Sequence, residues 1–383
     1  MRINNVSGFE RRLDARLVVS IVAVGIMSFA GVVVETAMNV AFPALMGEFG
    51  VNTATVQWVT TGYLLVLSAI MPISSFLNRR YRARTLFLAA MLTFLAGTIM
   101  SAAAPHFALL IGGRILQGIG TGVAPPLMFN IVLQQVPHER MGTMMGLATL
   151  ITAIAPAVGP SLGGFLIGAL GWRSIFLVLV PFLVIALVLG ALTIRQAQEI
   201  GRVSFAPVQF LLMAAGFVAL IFATNAASTS AWTSPEVLGL FVLSVALIAG
   251  FVRLSRRSDD PLLRVRIFTD RTYALSIVYV VLIQAIVLAL GYLIPYFAQI
   301  GKSMDSFAAG IIGALLTPFG GGILDRFGPM RPILTGAAIG VVTLVLFAVL
   351  GVHGSGIRLA LIYALFPICQ GLSVSNSMTN GLR

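Results

Sequence analysis

Two charged residues sit where a charge is costly. Glu35 has eighteen uncharged residues before it, back to Arg16, and twelve after it, up to Glu48. A charge at the centre of a long apolar segment costs roughly 2.5–3.5 kcal/mol even on the lenient insertion scale, so it persists where it pairs, faces a cavity or does work. A carboxyl shielded from water can exchange a proton near neutral pH, which makes Glu35 a candidate proton carrier. A structural ion pair with another segment is the competing reading. Arg114 follows His106 after seven uncharged residues, about 10 Å along a helix, close enough for its side chain to snorkel toward the segment end. Neither residue belongs to a metal cluster. His106, His138 and His353 are scattered, and the single cysteine, Cys369, excludes an intramolecular disulfide.

The elements that position these charges follow from composition. Of 383 residues, 58% are apolar and 9% charged, and mean hydropathy is +1.02. A soluble domain carries about 25% charged residues, so the chain is expected to be an all-α polytopic membrane protein. Apolar runs between charged or histidine residues predict twelve spans, within residues 17–45, 51–77, 85–105, 107–136, 141–171, 174–194, 203–226, 237–252, 272–300, 306–324, 332–352 and 359–382. The eighth is short. The first is too long for a secretory signal and reads as a retained helix.

Charge distribution sets the expected orientation. With the N-terminus in the cytoplasm, 20 of the 24 basic residues fall inside, and outside lie only Arg173, Lys302 and Arg358. That asymmetry is the positive-inside signal, and it accounts for the net charge of +12 as topology, leaving no role for nucleic acid. Trp58, Trp172 and Trp232 fall at expected outer ends, as interface anchors. The implied location is the cytoplasmic (inner) membrane.

Arg114-Ile115-Leu116-Gln117-Gly118-Ile119-Gly120 resembles the R-x-x-Q-G-x-G signature of helix 4 in the major facilitator superfamily. The stretch Gly159-Pro160-Ser161-Leu162-Gly163-Gly164 is similar to the G-P-x-x-G-G antiporter motif of helix 5. Small residues let helices approach closely, and proline removes a backbone donor. Glu35-Thr36-Ala37-Met38-Asn39-Val40-Ala41-Phe42-Pro43 resembles the D-x-T-x-x-N-V-A-L-P run of the fourteen-helix drug:proton antiporters. Gly171-Trp172-Arg173-Ser174-Ile175-Phe176 is similar to that family's G-W-R-W-I-F junction.

The resemblance implies two pseudo-symmetric helix bundles with two extra linker helices. On this chain they would be a six-helix bundle over 1–194, a two-helix linker and loop over 195–271, and a partial second bundle of four helices over 272–383. It implies proton-coupled export of hydrophobic or cationic compounds, with no cofactor and no metal. Glu35 and Arg114 would couple protons. Gln117, Gly118, Gly159, Pro160, Gly163 and Gly164 would form the packing motifs. Asn78 and Arg79, after the second span, and Asp325 and Arg326, after the tenth, would act in cytoplasmic gating loops. Asn39, Phe42, Tyr63, Phe129, Tyr292 and Tyr296 are cavity candidates, although an aromatic in spans this apolar serves packing more often. Partners would be the bilayer, protons and the exported compound, with a periplasmic adaptor left open.

The chain departs from the family pattern in places. Asn78 stands where the first loop motif has an acid, and Ser74 and Tyr81 where it has glycines. The tenth span is short, and four helices in the second bundle, where the family has six, imply a C-terminally truncated product. A non-transporting remnant and an exporter of one specific metabolite are therefore the alternatives. An enzyme is not expected. Tyr296 stands where a phosphate loop needs its first glycine, and no histidine or aspartate lies inside a span to activate a nucleophile.

Overall fold

The computed structural model describes residues 14–196, 205–258, 261–263, 265–301, 330–347, 349 and 362, and every element among them is helical. The helices are α1 (Ala15–Phe49), α2 (Thr53–Val56), α3 (Trp58–Arg80), α4 (Ala83–Ala102), α5 (Phe107–Gln135), α6 (Met141–Leu170), α7 (Ser174–Thr193), α8 (Pro207–Thr229), α9 (Pro235–Arg257), α10 (Arg271–Gly301) and α11 (Met330–Leu346). Among the described residues, seven helices are long and apolar enough to cross a membrane, counting α2 and α3 together. The expected tenth and twelfth spans lie outside the described residues, apart from Ile362.

Helix ends follow local chemistry. Asp14 Oδ1 accepts from Leu17 N at 2.8 Å and opens α1, and Gly50, at φ 64°, ends it in the left-handed region that glycine enters freely. His106 Nδ1 accepts from Leu109 N at 3.1 Å and caps α5. Ser234 caps α9, with Pro235 in the first turn and Arg256 and Arg257 in the last, where cations suit the helix dipole. The short eighth span is therefore corrected. α9 is a 23-residue helix, because its hydrogen-bond ladder continues through arginines that favour helix beyond the apolar run. Pro43, Pro72, Pro125, Pro126, Pro156, Pro160 and Pro181 lie inside helices that continue past them.

The chain divides into two compact units. The first comprises Met1–Gly31, Thr61–Ala153 and Leu177–Leu262, and the second Val32–Thr60, Ile154–Phe176 and Leu263–Arg383. In the first unit α4 and α5 cross backbone to backbone. A Cβ on Gly97 would stand 2.5 Å from Gly113 O and 2.8 Å from Gln117 N. Also in this unit, α8 pairs with α9 as a hairpin, where Ser244 Oγ donates to Gly216 O at 2.9 Å. Outer faces are apolar: Leu192 and Val242 are each more than 60% exposed, a surface suited to hydrocarbon rather than water.

Candidate functional site

Arg114 anchors a polar centre in the first unit. It is fully buried, so the snorkelling expected from its distance to His106 does not occur. Its Nη1 donates to Gln117 Oε1 at 2.8 Å, Gln117 Nε2 donates to Thr98 Oγ1 at 2.9 Å, and Thr98 Oγ1 donates to Phe94 O at 2.8 Å. The chain has a direction. A guanidinium can only donate, which turns the Gln117 carbonyl toward it and the amide nitrogen toward Thr98. Thr98 then spends its own hydrogen on a backbone carbonyl. The guanidinium carbon also sits 4.1 Å from the centroid of the buried Tyr63 ring, a cation–π geometry.

Helical spacing explains why the motif reads as it does. Arg114, Gly118 and Gly122 recur every fourth residue and face α3, where Cβ atoms on Gly118 and Gly122 would stand 2.8 Å from Tyr63 O and Ile70 Cβ. Gly113, Gln117 and Gly120 face α4 instead, and a Cβ on Gly120 would stand 2.6 Å from Ala90 O. The glycines thus bring two helices close enough for Tyr63 and Thr98 to reach the arginine and its glutamine. Thr98 and Gly97 carried no sequence signal, since an isolated Gly-Thr pair in an apolar helix fits no motif.

Glu35 lies in the second unit, 9% exposed, one helical turn before the 7%-exposed Asn39. Asn39 Oδ1 accepts from Thr60 Oγ1 at 3.2 Å, a link from α1 to the start of α3. The next residues of α1 are covered by α6. A Cβ on Gly159 would collide with Thr36 Oγ1, and one on Gly163 would stand 2.8 Å from Ala37 Cβ. Thr36 Oγ1 turns inward to donate to Val32 O at 2.9 Å. Pro160 and Gly164 are buried beside these glycines. Phe42 is fully buried as well.

At the end of α1, Glu48 lies beyond the apolar run that closes at Leu45. Trp172 Nε1 donates to Glu48 Oε2 at 2.6 Å, and Arg173 Nη1 to Glu48 Oε1 at 2.7 Å. The Trp172 hydrogen bond holds the Glu48 carboxyl below its ordinary range; Arg173 assists through a hydrogen bond and its charge, and partial burial opposes. Gly171, at φ 81°, makes the turn that brings both donors round. Trp172 is 3% exposed and packs on Phe49 and Phe176, which corrects the expectation of an interface anchor. Trp232 is 64% exposed.

The remaining sequence candidates fall on α3, α5 and α10 or outside the described residues. Asn78 and Arg79 were expected in a loop but belong to the last turns of α3, which ends at Arg80. Asn78 Nδ2 donates to Ser74 O at 2.8 Å, a bond that a carboxylate could not make. Phe129 is half-buried on α5. Tyr292 and Tyr296 lie on α10 with side chains outside the described residues, and Asp325 and Arg326 are outside them entirely. Among the described residues, no group of His, Cys, Asp and Glu could hold a metal ion.

Comparison with known proteins places this architecture. The profile of the Major Facilitator Superfamily matches residues 24–382. Lincomycin resistance protein LmrB of Listeria monocytogenes is 32% identical over 361 residues, covering 92% of this chain and 77% of LmrB. A multidrug resistance protein B homolog of Mycobacterium tuberculosis is 31% identical over 331 residues, covering 82% of this chain and 61% of that protein. Among solved structures, the peptide-transporter-family protein PepTSo superposes with a TM-score of 0.65 at 14% identity, covering 97% of this chain and 84% of its own. The xylose transporter XylE from E. coli gives 0.62 at 12% identity, covering 96% and 87%. At such identities the structural likeness is one of fold alone. With the family profile running along nearly its whole length, this chain belongs to the Major Facilitator Superfamily of transporters and is a multi-pass membrane protein.

Proposed function

We propose that the chain is a proton-coupled antiporter that exports hydrophobic or cationic compounds across the cytoplasmic membrane, with its N-terminus inside. The observation that carries this reading is the burial of Glu35, 9% exposed, in a helix that is otherwise uncharged from residue 17 to residue 47. A carboxyl in that setting can take up a proton from one side and release it to the other. The names of the relatives, lincomycin resistance and multidrug resistance, favour a lipophilic drug as the exported class.

In this reading Glu35 exchanges its proton against substrate, and Arg114 is a permanent positive charge that biases that exchange. The bundles are residues 1–194 and 272–383, joined by the α8–α9 hairpin, and substrate enters near the midplane. Asn39 is the substrate-contacting residue proposed on α1, and Phe129 the one proposed on α5. Asn78 and Arg79, in the last turns of α3, and Asp325 and Arg326, after the expected tenth span, act in cytoplasmic gating.

The test is uptake of a fluorescent dye cation into inverted membrane vesicles under an imposed proton gradient. The native chain is expected to accumulate dye, and Glu35→Gln to reach the membrane at equal level yet show no gradient-dependent uptake. Gradient-driven uptake retained by Glu35→Gln would remove the carboxyl from the coupling step.

A further inference from the structure

The α8–α9 hairpin carries a feature that no transport step uses. Where the start of α8 meets the end of α9, within the first unit, a cavity of about 350 Å³ is lined by Ala206, Pro207, Val208, Gln209, Leu254, Arg257 and Ser258. One side is polar. Arg257 is exposed, and Gln209, 3% exposed, is anchored by accepting from Leu262 N at 2.9 Å. The other side is apolar, with Val208 more than half exposed and Leu254 over a third. Leu211, one turn further along α8, continues that apolar surface.

We propose that this cavity seats the headgroup of an anionic glycerophospholipid. Arg257 binds the phosphodiester, Ser258 and Gln209 frame it, and the acyl chains leave along Val208, Leu211 and Leu254. Charge complementarity selects the occupant. The run from Arg253 to Arg271 holds six arginines against three aspartates, so this end of the hairpin attracts anions in general. A free phosphate would leave the apolar wall unused, and a neutral lipid would leave the guanidinium without its partner charge. A phospholipid with a net negative charge satisfies both sides at once. Arg253 and Arg256 share the field but do not line the cavity, so they distinguish seating from general attraction.

The test uses the full chain purified in mild detergent, stripped of lipid and titrated with phosphatidylglycerol or phosphatidylcholine, with bound lipid counted by native mass spectrometry. Phosphatidylglycerol is expected to bind in preference to phosphatidylcholine. Arg257→Ala should weaken it by about tenfold or more, as the loss of a charge-assisted hydrogen bond does. Arg253→Ala should change it by less than about threefold, since Arg253, one turn earlier on α9, does not line the cavity and contributes only its screened, exposed charge. Arg257→Lys, which keeps the charge, should recover part of the loss, and equal helicity of all variants excludes misfolding. Equal losses for Arg253→Ala and Arg257→Ala would overturn the site in favour of a diffuse basic surface. Displacement of the lipid by millimolar inorganic phosphate would overturn a lipid as its occupant.

Discussion

The surroundings of Arg114 and of Glu35 solve the same problem, a charge among apolar helices, in different ways. Arg114 is enclosed by a directed chain of hydrogen bonds through Gln117 and Thr98 and by the Tyr63 ring, with glycines on two faces of α5 holding α3 and α4 close. Glu35 keeps a small exposed fraction, and its neighbours along α1, Thr36 and Ala37, are packed by α6 through Gly159 and Gly163. A guanidinium keeps its proton throughout the accessible pH range, so a rigid shell serves it. In the proposed antiport the Glu35 carboxyl changes charge, which needs surroundings that tolerate both forms. The same small-residue packing therefore encloses a polar network around Arg114 and brings α6 against α1 beside Glu35.

The largest expected effect separates these roles by pH. Glu35→Gln should abolish gradient-driven uptake and flatten its pH profile, whereas Arg114→Lys, still charged, should lower the rate yet leave the midpoint of that profile in place. A shift of the midpoint in Arg114→Lys would erase the distinction. Next in size is the helix crossing under Arg114. Gly97→Val places methyl groups against Gly113 O and Gln117 N, and should cost about 1–3 kcal/mol or more, measured by thermal unfolding in detergent. Because the obstruction is backbone, relaxation cannot relieve it cheaply.

Smaller effects compare the hydrogen bonds. Thr98→Val removes the acceptor of a fully buried amide, for an expected loss of about 1–3 kcal/mol. Thr60→Val removes the longer, 3.2 Å bond to Asn39 and should cost about 0.5–1.5 kcal/mol. Equal losses would show that the Arg114 network is no more tightly set than the Asn39 link. The smallest effect lies at the rim. Glu48 and Arg173 are both more than a third exposed, so Glu48→Gln should cost at most about 1 kcal/mol. The Glu48 carboxyl is held below its ordinary value in the folded chain. Its stabilisation is therefore present above the ordinary carboxylate range and is lost as the pH falls through the lowered folded value. The difference between native chain and variant should shrink across that acid window, and a pH-independent difference would assign the effect to Trp172 packing instead.

Much of the frame is written in the residues. Apolar run length sets α1, α4 to α8 and α10 to within a few residues of their observed bounds, because hydrocarbon leaves backbone groups no other partner; the expected second span is instead split into α2 and α3, and α9 runs on through Arg257 beyond its apolar run. The isolated positions of Glu35 and Arg114 mark them before any coordinates, since a charge inside such a run has few innocent explanations. The R-x-x-Q-G-x-G and G-P-x-x-G-G stretches mark close packing but not its targets. That α5 turns Arg114 toward Tyr63 and Gln117 toward Thr98, that Gly159 rests on Thr36, and that Trp172 reaches 124 residues back to Glu48 depends on partners remote in sequence. Local pattern is set by period and polarity along one helix. Which residues meet is decided by how helices cross, and only tertiary packing determines that.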